Sequence, residues 1–570
     1  MDTKARNVLI AALAVFIIAI VPRLGAVHSP FLFDDFHAAV RNPAVTGKAT
    51  IWRIFTDPSA FSSSPGRRMY RPVTLLSYRF SHRIGGSDPF WWHVFNLLIH
   101  GVNALLVFGI GWRLFNGKTM PAACAAAFWA AHPLLNEAII YQAARSSLLA
   151  ATALLAGIYS HLSIKKGGPR AVVVCVWMLI GLGCKETVAV APVLLALFDL
   201  PGGNLRNRRQ TYVATAAILI FYILMRRAAL GVDTFVVSHP VRSVTSNLLT
   251  QSTIIPAYIL AALLPMRLSV EWSWPAAINW WPSRWFWWQA PMFCLPLISI
   301  LAATAIAGYR RYPFFTLGVG CFLVALAPES SIIPLVQTAN ERRLYFPLVG
   351  FGILCAWLLH LQTAHKRLYG AAAVVIAVCF TILSTADVSR WSSAERLWES
   401  ALKRSPSSLM AMHGLASARL DAKKIESAEK LYRKLLKEHP EYGGGHLGFG
   451  RIMLRKKRFD EAEKHFIFAM QLDPNNDGSW INLSNLYLQW GKLADAENAA
   501  RKGVDIFPRS ARLWNNFGAA LAGSGKLEEA LEAFGHALEI DPNYATAAAN
   551  RKAALLDLRR RTGGKSTPKK

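Results

Sequence analysis

Five prolines in the last third of the chain are each separated by 34 residues: Pro406, Pro440, Pro474, Pro508 and Pro542. A fixed period in this range is typical of arrays in which every repeat packs only on its neighbours. Such a period cannot arise from one compact globular core. It predicts a solenoid built from repeated supersecondary units in this part of the chain.

Other positions keep the same register as the prolines. The bulky position of the first helix holds Trp480 and Trp514, and the small position, where paired helices touch, holds alanine. The recurring core residues are Leu415, Phe449, Leu483 and Phe517, and the alanines are Ala428, Ala462, Ala496 and Ala530. This register is that of the tetratricopeptide repeat. It predicts a repeat domain over 391–558, with Trp391 to Pro406 as a lone second helix, followed by a basic disordered tail over 559–570.

The first 390 residues are dominated by apolar runs, which predict a polytopic membrane domain of helices. The fold class is therefore all-α: a membrane helix bundle followed by the repeat solenoid. Eleven spans are predicted, several of them short, at 7–27, 92–112, 119–133, 146–163, 171–184, 187–200, 211–226, 288–308, 313–328, 344–360 and 369–385.

Basic residues in alternate short loops orient these spans, because cytoplasmic loops are enriched in lysine and arginine. This rule places the polar loop 28–90 and, after an odd number of spans, the repeats on the non-cytoplasmic side. The orientation holds only if 247–266 does not cross fully, so we predict a re-entrant or juxtamembrane helix there. We expect a bacterial inner-membrane protein with loop and repeats in the periplasm, or in the endoplasmic reticulum lumen of a eukaryote.

The net charge of +29 divides unevenly along the chain. Residues 391–570 carry 30 basic and 21 acidic groups, or +9, which leaves +20 for the membrane part. A basic membrane domain attracts anionic lipid head groups and phosphates. Nucleic acid is excluded as a partner, because the basic residues follow the predicted topology instead of forming one stripe with interleaved aromatics.

An adjacent pair of acids, Asp34 and Asp35, follows the first span. Residues 1–390 hold only 13 acidic side chains, so two neighbours at a membrane surface are unusual. There a carboxylate could act as a general base toward a substrate that arrives from the lipid. The alternative is a helix cap after the first span. Two acids where one would cap favour a reaction centre.

Two groups of polar residues lie on predicted helices. His93, Asn96 and His100 share one helix face, and without a third firm ligand a hydrogen-bond network is favoured over a metal site. His132 precedes Glu137, Tyr141 and Arg145, which have helical spacing and would line one face of the fourth span. Those residues either form an ion pair between helices or present a cation to a phosphate.

The remaining charges of the membrane half converge on the external side. Lys185 and Glu186 lie between two short spans, and Glu271, Glu341 and Arg342 lie in later external segments. Interfacial anchoring near the tryptophan-rich stretch is one interpretation. Convergence of nearly all acids on one side indicates a site instead.

These motifs, in this order, resemble the TMTC-type O-mannosyltransferases of the GT-C glycosyltransferase class. The resemblance covers nearly the whole chain and includes the fused repeats. It departs at Val270 to Ser273, where relatives often carry Asp-Tyr-Ser, and in a shorter repeat array. The matching motifs are Phe33-Asp34-Asp35, Tyr70-Arg71-Pro72, His93 with Asn96, His132-Pro133 with Glu137 and Arg145, Lys185-Glu186, and Glu341-Arg342 before Tyr345 and Pro347.

The resemblance implies an enzyme that moves a mannose-like sugar from a polyprenyl-phosphate donor to a protein Ser/Thr hydroxyl or another acceptor, with inversion. Asp34 would take the hydroxyl proton and Asp35 would orient a substrate. No cofactor is required; a divalent metal is possible but is not needed for the implied reaction. The repeats would bind the acceptor polypeptide or a partner protein. The implied substrate-binding residues are Arg71, His93, His132, Glu137, Arg145, Lys185, Glu186, Glu271, Glu341 and Arg342.

Two other functions compete with this one. A non-enzymatic membrane-anchored scaffold for envelope assembly would need only one span, so eleven spans with external acids argue against it. A transporter should carry its ionisable groups near the bilayer midplane, whereas these groups mark the ends of spans.

Overall fold

The computed structural model describes residues 2–47, 49–62, 69–230, 243–266, 268–272, 290–330, 335, 337–361, 366–541 and 544–563. Within these ranges the chain is helical and contains no strand, as predicted for an all-α protein. Two compact units are present. The first is a membrane unit formed by Met1–Ser62 with Arg68–Ser405, and the second is essentially the repeat unit Pro406–Lys570.

Sixteen helices, α1 to α16, are described in the membrane unit. They are joined by loops, short 3-10 segments and one π-helical segment, Phe36–Val40. The helices are α1 Thr3–Ile20, α2 Ile51–Thr56, α3 Pro72–Gly85, α4 Pro89–Leu114, α5 Thr119–Ala131, α6 Asn136–Ile140, α7 Arg145–Ser163, α8 Gly167–Leu182, α9 Ala191–Asp199, α10 Arg209–Leu230, α11 Val244–Leu263, α12 Ala290–Ala307, α13 Pro313–Leu326, α14 Pro347–Leu361, α15 Lys366–Val388 and α16 Ala394–Arg404.

Fewer full-length membrane helices are found than the eleven predicted spans. Among the described residues, five helical segments are long and apolar enough to cross a bilayer, and the bent pair Thr119–Ala131 and Pro133–Ile140 could make a sixth. Four further apolar helices have only 10–17 residues. Helices this short can cross only where the bilayer thins or where protein surrounds them.

The predicted span 187–200 is an extreme case, because α9 has nine residues. A 3-10 helix, Glu186–Val190, precedes it, and this helix type rises about 2.0 Å per residue against about 1.5 Å in an α-helix. Lys185 bonds to Ser147 near the start of α7, and Asp199 bonds to His161 near its end. The segment from Lys185 to Asp199 therefore runs the length of α7. We call the end of the membrane unit that carries Asp34 the Asp34 end, and the opposite end, where α10 begins, the Arg209 end.

Helix α11 covers most of the predicted segment 247–266 and is 20 residues long. Its Gln251 donates to the carbonyl of Thr338, its Tyr258 hydroxyl to the carbonyl of Asn340, and the Ala262 carbonyl lies 3.0 Å from the His132 ring. Two of these contacts reach the segment just before Glu341. The re-entrant or juxtamembrane position of this helix stays a prediction.

The repeat unit contains four helix pairs and a final helix. The prediction of tetratricopeptide packing is met at the small positions, because Ala428, Ala462, Ala496 and Ala530 are all fully buried. The helices are α17 Leu409–Asp421, α18 Ile425–Glu438, α19 Gly443–Arg455, α20 Phe459–Leu472, α21 Asp477–Trp490, α22 Leu493–Ile506, α23 Ala511–Gly523, α24 Leu527–Ile540 and α25 Ala545–Gly563.

Both boundaries of the repeat domain differ from the prediction. The membrane unit extends to Ser405, past the predicted limit at 390. Leu397 of α16 is buried in an apolar cluster with Trp391 and Tyr141, and the buried Trp398 packs against Phe33. At the other end, α25 continues to Gly563, so 559–563 are helical and not a structureless tail. The rest of the predicted tail, 564–570, lies outside the described residues.

Candidate active site

The carboxylates of the acid pair point into different surroundings. Asp35 is buried, and its two oxygens accept the backbone N–H groups of Leu32 at 3.0 Å and Ala143 at 2.7 Å. Burial raises the pKa of Asp35 to about 7, against the lowering effect of these two hydrogen bonds. Asp34 has a side chain that is 47% exposed. The Asp35 side chain therefore attaches the loop after α1 to the helix bundle, whereas the Asp34 side chain remains about half-exposed.

The Asp35 side chain makes no capping hydrogen bond to the helical turn that follows. It is instead tied to the backbone of Ala143, 108 positions away. The preceding residue, Phe33, has a φ of 45°, which is uncommon for a bulky side chain. Its ring contacts Trp398, with centroids 4.9 Å apart, and also Tyr141. These contacts hold the turn that presents Asp34.

Asp34 is the first member of a hydrogen-bonded chain that was not foreseen. The Nε2 atom of His37 lies 2.8 Å from Asp34 Oδ1, and its Nδ1 atom lies 3.0 Å from the Ser62 hydroxyl. The backbone N–H of Asp34 donates to the Tyr141 hydroxyl at 3.2 Å. The signal in the sequence is the histidine three residues after Asp34, on the same side of a helical turn.

Arg71 and Glu186 form an ion pair at the Asp34 end. The Arg71 guanidinium donates to both carboxylate oxygens, at 2.8 and 3.3 Å, and Arg226 lies 3.7 Å from the same carboxylate. Burial alone would raise the pKa of Glu186, but the charge and hydrogen bond of Arg71 lower it to about 2. Glu186 is thus ionised at neutral pH and holds the loop of Arg71 against the start of α9.

Lys185 lines a cleft between α7 and α13. It pairs with Glu329 at 2.7 Å and donates to the Ser147 hydroxyl at 2.8 Å. Arg342 and Arg343 also line this cleft, which we call the Lys185 cleft. Its other walls include the apolar residues Ala150, Ala151, Leu154, Val190 and Ala325. Among the described residues, three cations, one carboxylate and an apolar wall line this cleft, which holds about 30 Å³.

Glu137 and Arg342 connect this cleft to the acid pair. The Glu137 carboxylate accepts the Arg342 guanidinium at 2.8 Å and the Arg342 backbone N–H at 3.0 Å. The Arg342 guanidinium carbon lies 5.7 Å from the ring centre of Tyr141, whose hydroxyl accepts from the Asp34 backbone. Tyr141 therefore stands between the Lys185 cleft and Asp34.

Glu271 and Glu341 lie beyond Glu137. Glu341 is buried and accepts the Ser269 backbone N–H and the Trp272 indole N–H. Burial raises the pKa of Glu271 to about 7, and the nearby Glu137 charge acts in the same direction. The Glu341 carboxylate thus accepts hydrogen bonds from uncharged donors, and these bonds hold the segment that contains Ser269 and Trp272. Most of the tryptophan-rich stretch proposed as an anchor, 273–289, lies outside the described residues.

Arg145 lies in the core of the bundle and does not face the Lys185 cleft. Its guanidinium donates to side chains of Asn96 at 2.6 Å, Gln142 at 2.8 Å and Ser81 at 2.7 Å, and to two backbone carbonyls. The helix is interrupted between Tyr141 and Arg145, so the expected continuous face with Glu137 does not form. As found, Arg145 binds helices together.

His93 and His132 are buried in the interior of the helix bundle, as Arg145 is. The Gln142 amide donates to His93 Nδ1, and His93 Nε2 lies 3.0 Å from the Ser29 carbonyl. His132 accepts the Leu134 backbone N–H and lies against Ala262. The hydrogen-bond network predicted for the His93 face is present. Within the described ranges, no group of three or more His, Cys, Asp or Glu side chains could hold a metal ion.

Three residues in or beside the site were absent from the predicted set. Glu329 and Arg343 line the Lys185 cleft, and Arg343 donates to the carbonyls of Thr338 and Gln337. Arg23, in the interior, donates to Asn136 at 2.7 Å and to the His132 carbonyl at 2.9 Å. Charged residues beside apolar spans are costly unless paired, and that rule would have selected Glu329 and Arg23.

The C-terminal part matches known repeat proteins. Models of the tetratricopeptide repeat match 385–442, 419–467, 453–516 and 511–544. A tetratricopeptide protein of Thermus thermophilus, TTC0263, is 21% identical, with a TM-score of 0.27, over 31% of this chain and 95% of its own. PilF of Pseudomonas aeruginosa is 20% identical, with a TM-score of 0.25, over 30% of this chain and 82% of its own.

Relatives of the larger part of the chain carry the name protein O-mannosyl-transferase. TMTC4 of Homo sapiens is 28% identical over 463 residues, and F38B6.6 of Caenorhabditis elegans is 24% identical over 413 residues. Each match covers 70% of this chain. Tmtc2 of Drosophila melanogaster is 31% identical over 198 residues, which are 33% of this chain and 21% of its own. The chain spans 62% and 58% of the lengths of the first two relatives.

Proposed function

We propose that this protein, whose relatives are named TMTC-type protein O-mannosyl-transferases, is a membrane glycosyltransferase of the GT-C type. It transfers a mannose-like sugar from a polyprenyl-phosphate donor to a Ser/Thr hydroxyl of a polypeptide. The observation that carries this proposal is the Lys185 cleft, which Arg342 and Tyr141 connect to Asp34 with its half-exposed carboxylate. Lys185 pairs with Glu329 and Arg342 with Glu137, so Arg343, whose recorded acceptors are two backbone carbonyls, supplies positive charge suited to a phosphate. The cleft itself holds about 30 Å³, so the donor binds at its mouth in this proposal, with the lipid chain along the apolar wall.

The reaction is a single displacement. The acceptor oxygen bonds to the anomeric carbon while the bond from that carbon to the phosphate oxygen breaks, and its electron pair leaves with the lipid phosphate. Asp34 takes the hydroxyl proton. Lys185 and Arg343 stabilise the negative charge that develops on the departing phosphate. The anomeric centre inverts because attack and departure occur on opposite faces.

The Asp34 end of the membrane unit faces the non-cytoplasmic side in this proposal. The basic residues in alternate loops support that orientation. Helix α16, the last helix before the repeats in the sequence, packs against Phe33 at the same end. The repeats then present the acceptor polypeptide, or a partner protein, on the side where sugar is transferred. The matching compartment is the periplasm of a bacterium or the lumen of the endoplasmic reticulum.

The test is sugar transfer from a polyprenyl-phosphate mannose donor to Ser/Thr peptides by the purified full chain. Asp34→Asn should lower the rate about 100- to 10,000-fold, the usual contribution of a positioned base, while donor binding persists. Asp88→Asn is the matched control, since Asp88 lies in the same region and caps α4 through its side chain. Asparagine caps as well as aspartate, so this control should keep its activity.

Arg343→Gln tests the donor site separately. It should weaken binding of the polyprenyl-phosphate donor and also lower the melting temperature, because Arg343 is buried and donates to the carbonyls of Thr338 and Gln337. Donor binding is therefore measured on folded protein below the melting temperature of the variant, and unchanged binding would argue against a role of Arg343 in the donor site. Near-normal turnover of Asp34→Asn would show that Asp34 is not the base. If Asp35→Asn also kept its turnover, the transferase proposal would fail, and a non-enzymatic tetratricopeptide scaffold would take its place.

A further inference from the structure

A second cation-lined cavity lies at the Arg209 end of the membrane unit. Its volume is about 510 Å³, within the range of ligand sites, and it opens between the end of α7, the start of α8 and the start of α10. Arg145 at the Asp34 end and Ser163 at this end are the first and last residues of α7, which has 19 residues. At about 1.5 Å per residue, close to 30 Å separates this cavity from the candidate active site.

Five basic side chains line this cavity: Lys165, Arg170, Arg206, Arg208 and Arg209. No acidic residue lines it within the described part of the chain. The nearest recorded carboxylate, Asp199, is already engaged by Arg208, His161 and Tyr212. The other four cations form no ion pair with the described residues. Their positive charge is therefore left for a ligand.

One of these cations is built into the protein. Arg170 is 5% exposed, and its guanidinium donates to the Thr211 hydroxyl at 3.2 Å. This bond ties α8 to α10, so the two helices that frame the cavity are joined through a buried arginine. A buried guanidinium at the wall of a polar cavity is costly unless an anion or several acceptors offset its desolvation.

The general excess of basic residues in cytoplasmic loops does not explain this arrangement. Arg310 and Arg311, which the same rule places on that side, are exposed and lie over the neighbouring rings of Tyr309 and Tyr312. Neither of them lines this cavity or the Lys185 cleft. The rule requires charge in these loops, but it does not require five cations to converge on one hollow.

We infer that this cavity is a binding site for a phosphate-bearing anion, separate from the site of sugar transfer. Guanidinium groups match phosphate oxygens in geometry and charge, and arginine supplies four of the five cations. The phosphate could belong to the head group of an anionic lipid or to a soluble phosphate compound. Both sources share the same chemistry, and experiment separates them.

The experiment uses the full chain in phosphatidylcholine nanodiscs. One arm measures binding of radiolabelled inorganic phosphate by equilibrium dialysis. The other measures energy transfer from protein tryptophan to fluorescent phosphatidylglycerol added to the disc. Arg206→Gln with Arg209→Gln should weaken binding of whichever probe is the ligand by about tenfold or more, because charge-assisted contacts to phosphate are lost. Both residues are exposed, so folding should not suffer.

Arg310→Gln with Arg311→Gln is the matched control, since it removes the same charge from exposed positions. It should change binding by less than about threefold, and Arg170→Gln, with its folding checked by thermal melting, should behave like the Arg206 and Arg209 pair. Loss in the lipid arm alone identifies a head group, and loss in the phosphate arm alone identifies a soluble compound. Equal loss in the control, or no saturable binding of either probe, would overturn the inference.

Discussion

Asp34 and Asp35 are neighbours in the sequence, yet one carboxylate is half-exposed and the other is buried. Two backbone N–H groups, from Leu32 and Ala143, bind the Asp35 oxygens and turn that side chain inward. The Asp34 carboxylate remains about half-exposed, and the His37 ring contacts it. In the proposed mechanism, Asp34 takes the proton and Asp35 supports the loop.

The raised pKa of Asp35 gives a prediction for stability against pH. An unfolded aspartate has a pKa near 3.8, and the folded value is about 7, so the folded chain keeps a proton that the unfolded chain releases. This contribution to stability is complete below about pH 4 and is lost as pH rises through 7. Between these values the cost is about 1.4 kcal/mol per pH unit.

Asp35→Asn should therefore flatten the fall in melting temperature of the membrane unit between pH 5 and pH 8. The variant should be less stable than the parent chain at pH 5, because an amide cannot accept both backbone N–H groups. Thermal unfolding of both proteins across this range is the measurement. Parallel curves would show that Asp35 ionises as an ordinary carboxyl.

Arg145 gives a second prediction at this scale. Arg145→Met should lower the free energy of unfolding by about 3 kcal/mol or more, because the buried oxygens of Asn96 and Gln142 and two backbone carbonyls lose their donor. The protein that still folds should bind the donor normally. An unchanged melting temperature with weaker donor binding would contradict this prediction. It would favour the interpretation from the sequence, in which Arg145 presents its positive charge to a phosphate.

At the scale of elements, α16 belongs with the membrane unit although its sequence continues the repeat pattern. Leu397 and Trp398 are buried, and Trp398 packs against Phe33, the residue before Asp34. The contact between Trp398 and Phe33 connects α16 to the turn that carries Asp34, the candidate base. A cut at the predicted boundary near 390 would therefore disturb the site itself.

Two truncations test the role of α16. A chain ending at Ser405 should keep donor binding and the melting temperature of the membrane unit, while it loses transfer to polypeptide. A chain ending at Ser392 should melt lower, since burial of a large apolar side chain contributes about 2 kcal/mol and both Leu397 and Trp398 are gone. Equal stability of the two chains would mean that α16 does not support the loop. Full transfer by the Ser405 chain would argue against an acceptor role for the repeats.

At the scale of the whole molecule, the proposal requires loop 28–90 and the repeats on one side of the membrane. Ser87→Cys and Ser524→Cys should both react with a membrane-impermeant thiol reagent in intact cells, and Asn207→Cys at the Arg209 end should react only after permeabilisation. All three positions are exposed. The parent chain, with its exposed Cys379, gives the background. Labelling of Ser87→Cys without Ser524→Cys would contradict the odd number of crossings.

The sequence alone determined those features that depend on local, periodic patterns. The 34-residue period predicts the repeat array, because each repeat packs only on its neighbours and the same positions must be small or bulky in each. Apolar runs predict most of the membrane helices, and the scarcity of acids there directs attention to Asp34. Helix lengths were less predictable, because burial against other helices permits apolar helices as short as α9.

Only the tertiary structure decided which charges meet. Arg342 binds Glu137 across 205 positions, and Asp35 is held by the backbone 108 positions away. No local pattern encodes such pairs, since each forms only when several helices pack together. The same packing turns Arg145 into the interior and brings Glu329 and Arg343 to the Lys185 cleft. Spacing along one chain shows which side chains share a face, whereas the packed bundle determines what that face meets.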